Sequence, residues 1–129
     1  MKDEQKLNAW IREQLRDTCD VVRVENTIGG GMPDLNICYQ GREVWVESKV
    51  LVLGRVLIRK EQFAWGIRRS SHGGRVMVLA WHVCANTLYG WTYPRVNVKE
   101  HGKYLEITND TAIYGFCDKS FPLKTFLFT

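Results

Sequence analysis

A nearly unbroken apolar run at residues 76–81 (VMVLAW) constrains the fold more than any other segment of the chain. A strand with one wet face alternates polar and apolar residues, whereas a continuous run is typical of a central strand buried on both faces. The run is also far shorter than the roughly 18 apolar residues of a membrane-spanning helix. The chain is therefore expected to build a sheet with packed layers on both sides.

The hydrophobic spacing upstream of this run predicts one helix and then three strands. Apolar side chains recur at helical spacing within residues 3–18, namely Leu7, Trp10, Ile11 and Leu15. Short segments of strand-like composition follow at residues 21–25, 34–39 and 43–50, the last two joined by a turn at 40–42. Three such strands can form an antiparallel meander.

A second helix is predicted at residues 58–70, after an apolar connection at 51–57, and Gly73-Gly74 ends it. This helix can cross over and return the strand at 76–81 to the same sheet. Beyond Asn86 the pattern weakens: residues 88–91 and 104–107 could be strands, and 111–129 are aromatic-rich but ambiguous.

Two short motifs predict a chemical site, Pro33-Asp34 and Glu47-Ser48-Lys49. Because side chains alternate along a strand, Glu47 and Lys49 point to the same face. If the two strands pair, Asp34 comes close to Glu47. Two carboxylates and an amine at one end of a sheet suit a hard divalent cation, with the lysine placed to hold a water or a phosphate.

The net charge of +4 is unevenly distributed, with the basic excess at residues 49–75, directly after the acidic motif. Two interpretations stay open, a solvated helix face and a surface that contacts the phosphate backbone of a nucleic acid. The candidate DNA-binding residues are Arg55, Arg59, Lys60, Arg68 and Arg69.

Less specific interpretations exist for the same residues. Asp34 could be a surface turn acid, and Glu47 with Lys49 could be an ordinary charge pattern on a wet strand face. Trp65 is expected in the core. The glycines at 29–31 could form a plain loop or let a ligand approach the backbone.

Length and composition predict one domain in a reducing compartment. At 129 residues the chain can bury a sizeable core. The segment MKDEQKLNAW has no apolar stretch that would mark a secretory signal, and the four cysteines lack the CxxC spacing of zinc sites. We expect a cytoplasmic protein that does not associate with membranes.

The segments GGGMPDLNICYQGREVWVESKV and EQFAWGIRRSSHGGRVMVLAW resemble the PD-(D/E)XK nuclease superfamily, and within it the virus-type replication–repair (VRR-NUC) group. Archaeal-type Holliday junction resolvases are similar in layout. The resemblance covers about residues 4–82 and implies an α/β fold with a restriction-endonuclease-like αβββαβ core, whose mixed central sheet is flanked by helices. Residues 1–129 would then be a single nuclease domain with a C-terminal extension at 83–129.

The resemblance also assigns roles to the motif residues. Asp34 and Glu47 match the metal-binding carboxylates of the family, and the backbone carbonyl of Ser48 would complete the inner shell. Lys49 matches the lysine thought to orient or activate the attacking water. Gln62 matches a helix glutamine that usually faces the site.

Many relatives add one more acid from the first helix, and here Glu4 or Glu13 could supply it, with Glu25 as a third candidate. The implied activity is Mg²⁺- or Mn²⁺-dependent hydrolysis of DNA phosphodiester bonds, selective for branched DNA such as Holliday junctions, by a homodimer acting in DNA repair.

The resemblance points to a phage source, which would place the protein in the host cytoplasm. The alternatives are a non-catalytic DNA-binding module with a nuclease fold, or a subunit that needs a partner. The aromatic residues after 104 could form a dimer interface or simply more core.

Overall fold

A computed structural model describes residues 2–25, 30–110 and 113–129. The core elements follow one another as α1 (Asp3–Leu15), β1 (Asp20–Arg23), β2 (Leu35–Tyr39), β3 (Arg42–Val50), β4 (Leu57–Arg59), α2 (Lys60–Ser71) and β5 (Val76–His82). The remaining elements are β6 (Thr87–Thr92), β7 (Val98–His101), β8 (Tyr104–Ile107), β9 (Ile113–Phe116) and α3 (Leu123–Phe128).

The central sheet has six strands in the order β1-β2-β3-β5-β6-β9. Strands β1, β2 and β3 form the expected antiparallel meander. Helix α2 then crosses over, and β5 pairs with β3 in parallel, with Glu47 opposite Val78. The predicted mixed α/β sheet and the αβββαβ order are therefore confirmed, with the short strand β4 inserted before α2.

Strand β5 lies between β3 and β6, and its residues 76–80 are buried, as the apolar run predicted. One face of the sheet packs against α1 and α3 through a cluster that includes Leu7, Ile11 and Leu79. The other face packs against α2 through a cluster that includes Trp65, Val78 and Trp91. The central strand is thus covered on both sides.

Two helix boundaries differ from the sequence prediction. Helix α1 ends at Leu15 rather than at 18. The second helix begins at Lys60, because Ile58 and Arg59 pair with β8 as part of a second, three-stranded sheet, β4-β8-β7. Local spacing could not show this, since the partner strand lies more than forty residues away in the sequence.

Residues 83–129 complete the central sheet and its covering layer. Strands β6 and β9 extend the sheet, and Phe121, Leu127 and Phe128 are buried in the core on the α1 side. Phe116 is 64% exposed. The aromatic end of the chain therefore supplies core, and a role in a dimer interface stays a prediction.

In the described part of the chain, none of the helices has the length and apolar character needed to cross a membrane.

Candidate active site

The pairing of β2 with β3 brings the two predicted carboxylates together. Leu35 lies opposite Val46, so Asp34, which precedes β2, lies beside Glu47. The backbone N–H of Ser48 donates a 2.9 Å hydrogen bond to Oδ2 of Asp34. The strand that carries Glu47 therefore also fixes the orientation of the Asp34 carboxyl group.

Glu47 is a buried acid whose surroundings disfavour its ionised form. Its side chain is on the α2 side of the sheet and the residue is 5% exposed. Its Oε1 atom is buried without a hydrogen-bond partner among the described residues. Burial, and then the charge of Asp34 and a hydrogen bond with it, raise the pKa of Glu47 to about 9, although Lys49 acts in the opposite direction. Burial and the neighbouring carboxyl therefore favour the protonated form of Glu47 in the absence of a ligand.

Lys49 and Glu4 complete the polar cluster around this pair. Partial burial raises the pKa of the Glu4 carboxyl, the charge of Lys49 lowers it, and the charge of Asp34 raises it. These mutual effects mean that Glu4, Asp34 and Lys49 lie close enough to interact electrostatically. Helix α1 thus delivers its first-turn glutamate to the end of the sheet where the carboxylates meet.

The other two candidate acids lie elsewhere. Glu13 is two-thirds exposed and pairs with Arg16 at 3.3 Å, within its own helix. Glu25 is exposed beyond the end of β1. Among the three candidates, Glu4 has the position to join Asp34 and Glu47.

Gln62 is buried, but its side chain has a local partner. Its Oε1 atom accepts a 2.9 Å hydrogen bond from the backbone N–H of Arg59, the residue that caps the N-terminus of α2. This is half of a capping box, which fixes the start of the helix. In this conformation Gln62 stabilises α2, and a role toward substrate stays a prediction. Trp65 is 9% exposed and belongs to the core.

Packing against α2 requires two of the three glycines before Asp34, Gly30 and Gly31, and Gly29 lies outside the described residues. A side chain at Gly31, whose φ is +98°, would collide with the backbone carbonyl of Glu61 in α2. A Cβ at Gly30 would meet the Glu61 side chain at 2.8 Å. The described glycines therefore let the loop run against α2 and deliver Asp34 to the site, which favours neither of the two interpretations drawn from the sequence.

An open cleft of about 400 Å³ lies beside the carboxylates. It is lined by residues at the start of α1 and by residues at the ends of the strands, among them Glu4, Asn8, Asp34 and Val50, and by two cations, Lys2 and Arg23. The cleft gives a solvent-accessible approach to the acids.

Three residues of this region were missed by the sequence analysis. Arg23 lines the cleft, and Asn8 accepts a 2.5 Å hydrogen bond from the hydroxyl of Ser48. Tyr93 is buried, and burial followed by the charge of Glu47 raises its pKa. Its ring lies against Gly66 of α2, where a Cβ would meet ring atoms at 2.5 Å. None of these has a sequence signal, since each acts through tertiary contacts.

Most of the predicted DNA-binding cations are paired with acids. Arg55 lies 3.2 Å from Glu106, a pair whose partner comes from β8. The other two pairs are Arg59 with Glu61 at 3.1 Å and Lys60 with Glu100 at 3.8 Å.

The two remaining candidates lie further along α2. The guanidinium of Arg69 stacks over Trp45 and Trp65. Arg68 is exposed and has no ion pair within the described ranges. The basic excess is thus partly neutralised by the C-terminal strands.

The donor set is compatible with a hard divalent cation. Asp34 and Glu47 offer carboxylate oxygens, and the partnerless Oε1 of Glu47 is a buried acceptor that a cation would satisfy. Among the residues that the structure describes, however, no group of three or more His, Cys, Asp or Glu side chains is already arranged to hold a metal. The fit therefore rests on two acids, and Glu4 influences both of them electrostatically.

The fold is similar to that of a known nuclease. The structure of Archaeoglobus fulgidus Hjc, a Holliday junction resolvase from an archaeal hyperthermophile, matches with a TM-score of 0.61 and 11% sequence identity, over 81% of this chain and 88% of that chain. At this identity the likeness shows a shared fold. No family model matches the sequence, and neither does any curated protein. The VRR-NUC resemblance therefore rests on its motifs.

Proposed function

We propose that this chain is a metal-dependent endodeoxyribonuclease that hydrolyses phosphodiester bonds in branched DNA, such as four-way junctions. The observation that carries the proposal is the pairing of Asp34 with the buried carboxyl of Glu47, whose Oε1 atom has no hydrogen-bond partner among the described residues, beside Lys49, in a fold similar to a resolvase. A protein does not gain stability by burying a carboxyl oxygen that lacks a partner, so a ligand that satisfies it is the simplest explanation.

Asp34, Glu47 and the backbone carbonyl of Ser48 are the groups that would hold Mg²⁺ or Mn²⁺, and Glu4 is placed to add a further oxygen. A bound divalent cation supplies charge neutralisation at the phosphate oxygens and a lower pKa for a nearby water. The partly protonated carboxyl pair must lose its proton when the cation enters, because only the ionised form is a good ligand.

Lys49 has the position to act on the nucleophile and on the phosphate. It follows the acid by two residues in β3, so its side chain is on the same face, and its charge reaches both Glu4 and Glu47. In hydrolysis, a water attacks phosphorus, the 3′ or 5′ oxygen leaves, and negative charge grows on the phosphate. An ammonium group beside the site stabilises that charge and orients the water.

The substrate reaches the site through the cleft next to α1. Arg23 lines this cleft and is exposed, so it can contact a phosphate of the approaching strand. The exposed cations on α2, above all Arg68, can contact a second segment of backbone. A homodimer, which would present two sites to opposed strands of a junction, is part of the proposal.

The test is cleavage of a labelled four-way junction, a flap and a linear duplex with Mg²⁺, Mn²⁺ or EDTA, beside Lys49→Ala. We expect metal-dependent cutting of the junction that the variant loses. Cutting of the flap or the duplex instead would keep the nuclease and change its substrate. Tight DNA binding with no cutting would overturn the stand-alone nuclease and favour a binding module or a partner-dependent subunit.

A further inference from the structure

The segment that follows the candidate catalytic strand is a tight turn with an unusual residue at its tip. Val52 and Arg55 close the turn with two backbone hydrogen bonds, from Val52 N to Arg55 O at 2.8 Å and from Arg55 N to Val52 O at 3.0 Å. The two central residues, Leu53 and Gly54, have φ values of +50° and +76°. Positive φ at both central positions defines a type I′ hairpin turn.

Leucine is energetically unfavourable at this position of the turn. The first central position of a type I′ turn favours Asn, Asp or Gly, because a left-handed backbone crowds the Cβ of other residues. Leu53 is also 90% exposed, and its neighbour Val52 is 55% exposed. A strained, exposed leucine stabilises nothing in the free protein, and backbone strain of this kind is typical of functional positions.

The turn follows the end of β3, the strand that carries Glu47 and Lys49. Val50, which lines the cleft with Asp34 and Glu4, is three residues before Leu53. Three residues of chain span at most about 11 Å. Leu51 is fixed between them by a hydrogen bond from its N–H to the carbonyl of Trp81 in β5. The tip is therefore held at a defined, short distance from the cleft.

Cations follow this apolar tip in the chain. Arg55 closes the turn, and Arg59 and Lys60 follow at the start of α2, each about half exposed despite its ion pair. An apolar tip among exposed cations complements a nucleic acid, whose bases are apolar on their faces and whose backbone is anionic. Proteins that insert leucine or similar side chains between base steps use the same combination.

A second copy of this chain is a weaker candidate for the occupant. A stable protein interface buries about 800 Å² on each partner, far more than the two apolar side chains of this tip can offer. Half-exposed charges around a protein–protein contact would add a desolvation cost, whereas around DNA they contact phosphates.

We propose that Leu53, supported by Val52, is a wedge that packs against an unstacked nucleobase at the branch point of the DNA. The inference rests on the proposed function, since it assumes that DNA occupies the neighbouring cleft. A branch point suits such a wedge because base stacking is already interrupted there, so little stacking energy is lost on insertion. The wedge would thereby select branched over continuous duplex DNA.

The test uses a four-way junction with 2-aminopurine at the branch point, bound in EDTA so that no cleavage is needed. Wild-type protein is expected to raise the 2-aminopurine fluorescence and to bind the junction more tightly than a duplex of equal length. Leu53→Asn should abolish the fluorescence rise and reduce the preference for the junction roughly tenfold. Its melting temperature should be equal or higher, because asparagine suits the turn. Leu53→Phe should retain the signal.

The matched control is Phe116→Ser, which removes another exposed apolar side chain three strands away from β3 and should leave both readouts unchanged.

An unchanged fluorescence signal in Leu53→Asn would overturn the wedge. The wedge would also be overturned if Leu53→Asn lost binding because its melting temperature fell. A change in the oligomeric mass of Leu53→Asn, measured by sedimentation, would overturn it as well. If wild-type protein unstacks the base but cuts no DNA with any metal, the wedge stands and the nuclease fails. If it cuts junctions while Leu53→Asn binds like wild type, the nuclease stands and the wedge fails.

Discussion

The charged side chains at the two ends of strand β3 are in opposite states. At its start, Arg42 and Arg75 donate hydrogen bonds to the backbone carbonyls of residues 126–128 at the end of α3. At its other end, the acid Glu47 is buried with one oxygen unpartnered and with another carboxyl beside it. The arginine side chains make hydrogen bonds within the protein, whereas one buried carboxyl oxygen at the acidic end lacks a partner that a bound ligand could supply. The comparison predicts that substitutions at the arginine end change stability and that those at the acidic end change activity.

The strongest test of this division is Asp34→Asn. The amide retains an oxygen that can accept the hydrogen bond from Ser48 N, so the fold should be unaffected. The carboxylate that would hold the cation is lost, and we expect junction cleavage to fall by about 10³-fold or more, the loss typical when an electrostatic catalytic group is removed. Single-turnover cleavage with Mg²⁺ measures this, and retained junction binding in EDTA is the control. Cleavage within tenfold of wild type would show that Asp34 is not a ligand.

The opposite experiment is Arg75→Ala. Loss of its guanidinium leaves the carbonyls of Phe126 and Leu127 without these partners, and the unfolding free energy should drop by about 2–3 kcal/mol. The cleavage rate per folded molecule should not change. Urea denaturation measures the drop, and Arg68→Ala, an exposed cation on α2, should stay within about 0.5 kcal/mol of wild type. An inactive but fully stable Arg75→Ala protein would reverse the assignment of the two ends.

Glu47→Gln should inactivate the protein and make it more stable. The folded-state pKa of about 9 lies above the ordinary value of 4.5, so the folded protein binds more protons than the unfolded chain between those values. Stability of the wild type should therefore fall as pH rises from about 5 to 9. The amide that replaces the carboxyl carries no charge, and the gain at pH 8 should be on the order of 1–3 kcal/mol. Thermal melts at pH 5 and pH 8 would contradict this if the variant lost stability at both.

The smallest effect is expected where the C-terminal strands neutralise the basic residues. Glu106→Gln releases Arg55 from its ion pair, so DNA affinity should rise a few-fold in low salt. The slope of log affinity against log salt should steepen by up to about one unit, because one more cation contacts phosphate. Fluorescence anisotropy with a labelled junction measures both. Glu13→Gln, far from these cations, is the control. Equal slopes for the two variants would show that Arg55 does not contact DNA.

The sequence predicted the αβββαβ part of the fold, which carries the candidate site, because its signals are local. The apolar run at 76–81 identified the central strand, and alternation placed Glu47 and Lys49 on one face, as the structure shows. The strand pairing that brings Asp34 to Glu47 followed from the short turn at residues 40–42.

What could not be predicted depends on contacts between distant segments. Strand β4 exists through its pairing with β8, and the ion pair between Arg55 and Glu106 forms because of that pairing. Gln62 carried a family-like signal, yet it hydrogen-bonds to the start of its own helix. The choice of Glu4 over Glu13 likewise required the packing of α1 on the sheet.

The most direct test of the central claim is calorimetric titration of the wild type with Mn²⁺ at pH 7, in two buffers of different ionisation enthalpy. The account predicts that binding releases about one proton per cation, because Glu47 must ionise to become a ligand. Glu47→Gln should abolish that release and weaken binding. Tight Mn²⁺ binding without proton release, or no binding that depends on Glu47, would contradict the view that the carboxyl pair is a metal site.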